Sequence, residues 1–230
     1  ALLGGVFLLL LIVLLNLLSG TGNFAPSVPE KAVLTLDLNQ NYPEMRVDDL
    51  WAELSEVPQT SFYDLIKAIN IAAMDNRVSA IVAKINETPL GLAQIQDLRS
   101  ALAAFRSTGK KTYVYSSGMG NFGGGTNEYY LASAFDEIWM QPNSEIGITG
   151  LNIEVPFLKQ LLGKIGVTAE FYARHEYKNA AASLVSSSFS KPYREEMTKL
   201  GQNLFSQMVN DIVSSRNLAE KSLLKLINQA

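Results

Sequence analysis

The chain has 230 residues, with 22 acidic and 19 basic side chains, one histidine, no cysteine and a net charge of −3. The lack of cysteine excludes disulfides, thiolate metal ligands and cysteine nucleophiles together, and the near-balanced charge leaves no electrostatic footprint for nucleic acid. A Ser-His-Asp triad must use His175 or be absent from this chain.

Residues 1–18, ALLGGVFLLLLIVLLNLL, carry no charge and one polar side chain, Asn16; the first charge of either sign is Glu30. As a helix such a run spans ~30 Å of hydrocarbon, which predicts a transmembrane anchor. A cleaved signal peptide is the alternative, but its apolar core is typically ~7–15 residues, and Ser19-Gly20-Thr21 is a weak cleavage site. Residues 19–29 read as a Ser/Gly/Pro-rich linker and residues 30–230 as one α/β domain. The chain opens on Ala and its last helix lacks a stop signal, so further sequence is expected at both ends.

In chain order, Ala32–Leu38 is dense enough in apolar residues for a buried strand. Ser61, with Asp64 three residues on, starts a helix from Phe62 to Asp75 in the manner of a capping box. Strand Val78–Ile85, helix Leu92–Arg106 and strand Thr112–Tyr115 follow. Glycines at 118, 120, 123, 124 and 125 precede a short helix near Asn127–Ala134, and Glu137–Met140 is another strand. A helix around Phe157–Ile165 leads to a strand at Thr168–Tyr172, then a long helix Lys191–Arg216 broken at Asn217, and a last helix Ala219–Ile227. Alternating strands and helices predict a mainly parallel sheet with crossover helices.

The glycine cluster sits between a strand and a helix, the setting in which backbone N–H groups hold an anion. It lacks the Gly-Lys-Ser/Thr ending of a Walker loop, and a dinucleotide fingerprint belongs on the first strand with an acidic residue ~20 positions on. The spacing instead predicts a tight elbow exposing the first helical residue, Thr126. Lys178 lies in Arg174-His175-Glu176-Tyr177-Lys178-Asn179-Ala180. Spacing alone admits an exposed loop lysine, or a lysine buried among alanines that loses its proton by desolvation and serves as base for a hydroxyl nucleophile. His175 beside Glu176 reads as a surface pair, and Ser186-Ser187-Ser188 as a polar loop. No metal-ligand set and no cofactor is expected.

Taken together, the anchor, the Ala32–Leu38 strand, the segment Ile81–Leu98, the segment Tyr113–Met140 with Tyr129-Tyr130-Leu131-Ala132-Ser133, and Phe171–Lys178 resemble the signal peptide peptidase A (protease IV) family. The resemblance implies a crotonase/ClpP-like fold and a Ser/Lys dyad, and it carries the family's general-base lysine onto Lys178. The departures matter as much. Single-domain members place the nucleophile three residues before the first tyrosine, where this chain has Thr126. The loop associated with the oxyanion hole is reduced to Thr88-Pro89-Leu90-Gly91, and Glu145 stands where the family has a further serine.

Those losses resemble the N-terminal repeat of the family's long two-repeat form, in which this half supplies the lysine and a C-terminal repeat the serine. The implied substrates are cleaved signal peptides or other apolar peptides. The implied setting is the bacterial inner membrane with the catalytic domain outside the cytoplasm, as a homo-oligomer. A catalytically degenerate scaffold repeat, and Thr126 as a self-sufficient nucleophile, are the competing expectations.

Overall fold

A computed structural model of the protein describes residues 28–45, 60–120 and 123–228. The expected anchor, residues 1–18, lies outside them, as does nearly all of the linker. Among the described residues no helix is long and apolar enough to cross a membrane.

Four strands, β1 (Ala32–Asp37), β2 (Val78–Lys84), β3 (Lys111–Ser116) and β4 (Glu137–Met140), form one sheet in the order β1-β2-β3-β4, every pair parallel. Parallel neighbours need a crossover, and three helices supply them: α1 (Phe62–Met74), α2 (Leu92–Ser107) and α3 (Thr126–Ala132). Ser61 caps α1, its Oγ accepting from the Asp64 N–H at 3.1 Å while donating to Asp64 Oδ2 at 2.8 Å. Phe62, Leu65, Ile69 and Ala72 of α1 recur at helical spacing and are buried, as are Ile95, Leu98, Leu102 and Phe105 of α2. They meet the sheet face built from Leu36, Ala83 and Val114, which the register aligns in one row. Each of the Leu, Ile, Val and Phe side chains, fully buried, contributes about 1.5–3 kcal/mol. The opposite face, with Val33, Val82, Tyr115 and Trp139, is exposed among the described residues.

Beyond β4 the chain forms an arm. Helices α4 (Lys159–Lys164) and α5 (Ala182–Val185) bury no residue, and α5 is a single turn that periodicity alone does not reveal. The strand expected at Thr168–Tyr172 does not form. Its apolar alternation signals only a capacity for burial; no described strand lies alongside it, and Tyr172 is 92% exposed.

Helix α6 (Lys191–Arg216) then returns the chain to the core. Ser190 caps its start, and Asn217, at φ 52°, closes it in the left-handed conformation that Asn tolerates. Only Met208, Val209 and Ile212 in its C-terminal part are buried, so its N-terminal half projects with the arm. A polar cluster fixes the docked half. The Tyr130 hydroxyl donates to Asp211 Oδ2 at 2.5 Å. The buried Arg99 guanidinium stacks on the Tyr130 ring at 4.2 Å and donates to the Tyr130 carbonyl, Ser133 Oγ and Ser215 Oγ. The last helix, α7 (Glu220–Ile227), tucks Leu223 beneath.

Candidate active site

The carboxyl ends of the parallel strands are stitched by side chains that follow them. Asn39, after β1, accepts from the Asn86 N–H at 2.6 Å and the Glu87 N–H at 3.3 Å. Asn86, after β2, accepts from the Ser117 N–H and hydroxyl, both at 2.9 Å. Glu128, in the first turn of α3, reaches back so that Oε1 accepts from the Thr88 N–H at 3.1 Å. Glu128 is buried, and its Oε2 has no hydrogen-bond partner among the described residues.

The elbow after β3 is built by close backbone approach. Met119 N–H donates to the Glu145 carbonyl at 3.0 Å, Gly147 N–H to the Met119 carbonyl at 2.8 Å, and Gly125 N–H to the Gly147 carbonyl at 2.6 Å. A Cβ on Gly125 would lie 2.4 Å from the Met119 carbonyl oxygen, and Gly120 holds φ +95°. Glycine is therefore required at both positions. The cluster serves a tight turn, with no phosphate loop implied.

The elbow does place Thr126 first in its helix, but the expected exposure is wrong. Thr126 is 6% exposed, and its Oγ1 accepts from the Gly150 N–H at 3.1 Å. Residues 147–150 fold back across the elbow and cover the hydroxyl, a non-local event that the glycine pattern cannot report. The Thr88 loop departs from an open donor site in a comparable way, because a carboxylate of the same chain already occupies its N–H. Glu145 is exposed and contributes its backbone carbonyl to the elbow.

Lys178 lies elsewhere. It is exposed, in a turn closed by its own N–H donating to the His175 carbonyl at 3.1 Å. Of the two readings that spacing left open, this chain shows the exposed loop lysine. His175 and Glu176 are exposed as well. The turn rests on the projecting half of α6: Asn179 Nδ2 donates to Glu196 Oε2 at 2.8 Å, and the Tyr177 hydroxyl to Glu195 Oε2 at 3.4 Å. Lys199 pairs with Glu195 at 2.9 Å. This pairing holds the Glu195 carboxyl below the ordinary carboxylate range, through the Lys199 hydrogen bond first and its charge second. Among the described residues no hydrogen bond or ion pair joins Lys178 to Thr126, Glu145 or the Thr88 loop.

Sequence reasoning did not find Glu128, Asn39, Asn86 or the Glu195-Glu196 pair. Asn39 and Asn86 each stand just past a strand, where an Asn side chain bonds nearby backbone, so position gave a usable signal for those two. The partners of Glu128, Glu195 and Glu196 are fixed only by folding.

The sequence pattern of peptidase family S49 matches residues 104–230, from α2 through the elbow, the Lys178 turn and α6. Protease 4 of Haemophilus influenzae is 26% identical over 227 residues, 95% of this chain and 36% of that protein. Protease 4 of Salmonella typhi is 24% identical over 173 residues, 75% of this chain and 27% of that protein. The chloroplastic serine protease SPPA of Arabidopsis thaliana is 25% identical over 158 residues, 69% of this chain and 23% of that protein. The chain thus spans about a quarter to a third of the length of the curated relatives it matches. The parallel sheet with its crossover helices fits the ClpP-like architecture that the resemblance implies, and the family pattern covers more than half of the residues: the chain belongs to peptidase family S49.

Proposed function

We propose that this chain is the lysine-bearing repeat of a membrane-anchored serine peptidase, with Lys178 as general base and the nucleophilic serine supplied by sequence beyond residue 230. One contrast carries this reading: the elbow hydroxyl of Thr126 is buried and hydrogen-bonded, whereas Lys178 stands exposed on a braced turn with no hydroxyl partner among the described residues. A lysine works as a base only when neutral, which requires exclusion of water. An exposed turn that becomes covered by a second repeat meets that requirement. The serine hydroxyl then attacks a peptide carbonyl while its proton passes to Lys178 Nζ, and backbone N–H groups of the partner repeat stabilise the oxyanion.

On this reading residues 1–18 anchor the chain and hold the activity at the outer face of the membrane, where cleaved signal peptides collect. A groove of about 270 Å³ beside α6 combines Leu151, Ile153, Phe189 and Met197 with Arg194 and Gln202, a mixed lining on the same arm as the lysine turn. The exposed sheet face supports packing against further repeats or copies, since parallel sheets are ordinarily covered on both faces.

Fluorophosphonate labelling of the complete polypeptide tests the division of labour. Modification at one serine C-terminal to Ala230 is expected; modification at Thr126 or any other hydroxyl within these 230 residues contradicts it. A scaffold reading is favoured by one observation, the Glu128 carboxylate seated on the Thr88 N–H. It predicts a second lysine beyond this chain that is sufficient for turnover when Lys178 is removed.

A further inference from the structure

The two neighbours of Lys178 are bound to consecutive residues of one helix. Tyr177 reaches Glu195 and Asn179 reaches Glu196, at 3.4 and 2.8 Å. Consecutive helical residues point ~100° apart around the axis, so the pair fixes the rotation of the turn as well as its distance from α6. The turn is additionally closed by the Lys178 N–H on the His175 carbonyl. Helix α6 is in turn tied to the core at its far end. Asp211 accepts from Tyr130, Ser215 from Arg99, and Arg216 donates to the Phe135 and Asp136 carbonyls at 3.0 and 3.3 Å. A continuous helix of 26 residues therefore connects the core to the lysine turn.

Glu195 is shared between Lys199 and Tyr177, and an oxygen of Glu196 accepts from Asn179.

We infer that Glu196, acting through Asn179, is a positioning residue for Lys178, holding the lysine turn on α6 in the orientation that delivers Nζ to the nucleophile. This rests on the reading of Lys178 as the general base. Small displacements of a catalytic group cost up to about a hundredfold in rate. In the complete polypeptide, acting on a fluorogenic apolar peptide in detergent, Glu196→Ala and Asn179→Ala are each expected to lower kcat about 10–100-fold with KM within about threefold. The double variant is expected to be no worse than either single one, because one contact is lost in all three. Glu196→Gln keeps an oxygen that accepts from Asn179 Nδ2 and is expected to stay within about threefold of wild-type kcat. Both side chains are at the surface, so thermal melts of all variants should coincide with wild type.

Wild-type kcat in Glu196→Ala or Asn179→Ala overturns the inference, and so does a Glu196→Gln variant as impaired as Glu196→Ala. Lys178→Ala in the same assay separates the two levels. If it abolishes turnover while the clamp variants are fully active, only the positioning role fails; if it retains turnover, the general-base reading fails and the positioning role falls with it.

Discussion

Tyr130 and Asp211 stand 81 residues apart in sequence and share a 2.5 Å hydrogen bond, phenol to carboxylate, where α3 meets α6. Burial, then the bond to Asp211, pushes the phenol up to about 12. Because the folded value exceeds the unfolded one of ~10, the native state holds the proton more tightly. The resulting stability is complete below pH ~10 and is lost as pH rises toward 12. Tyr130→Phe is expected to cost about 1.5–3 kcal/mol in urea unfolding at neutral pH and to flatten the decline above pH 10. An unchanged alkaline limb in the variant would contradict this assignment.

Asp136 gives the complementary dependence on the acid side. Burial tends to raise its carboxyl, but the Thr112 N–H and hydroxyl at 2.9 Å each, with Arg106 at 3.0 Å, outweigh burial and hold it below the usual carboxylate range. A lowered folded value means that its stabilisation is present above the unfolded pKa of ~3.9 and disappears as pH falls through the folded one. Asp136→Asn should lose stability at pH 7 and show a shallower decline on acidification, measured by thermal melts between pH 2 and 7. A variant whose acid limb parallels wild type would show that the group does not govern it.

Within the elbow, two glycines should behave oppositely. A methyl on Gly125 meets the Met119 carbonyl oxygen at 2.4 Å, whereas one on Gly123 meets nothing within 4 Å. Gly125→Ala is expected to destabilise by about 1–3 kcal/mol or more, and Gly123→Ala to change stability by less than about 1 kcal/mol in either direction. Chemical denaturation of the two variants side by side checks the pair, and equal losses would refute the packed-elbow geometry.

What the sequence disclosed follows from the range of the interactions involved. Glu137–Met140 and Lys191–Arg216 were readable to the residue because strand density, helical apolar spacing and an Asn terminator are local signals. The parallel sheet was readable because alternation of strands and helices leaves few topologies. Thr168–Tyr172 misled, since alternation carries no information about whether a neighbouring strand exists. Thr126 misled because its cover, Gly150, arrives 24 residues later. Lys178 was findable only through its flanking motif, and its bracing by Glu195 and Glu196 only through the return of α6 to the arm.

The proposed division of labour makes Lys178 the base of a dyad completed outside this chain. The direct measurement is kcat/KM for an apolar peptide with the complete polypeptide, wild type against Lys178→Ala, the two matched in circular dichroism and assembly size. A general base contributes about 10²–10⁴-fold, so a loss of at least a hundredfold, expressed in kcat, is expected. Turnover within a few-fold of wild type in a folded, correctly assembled Lys178→Ala protein would contradict it.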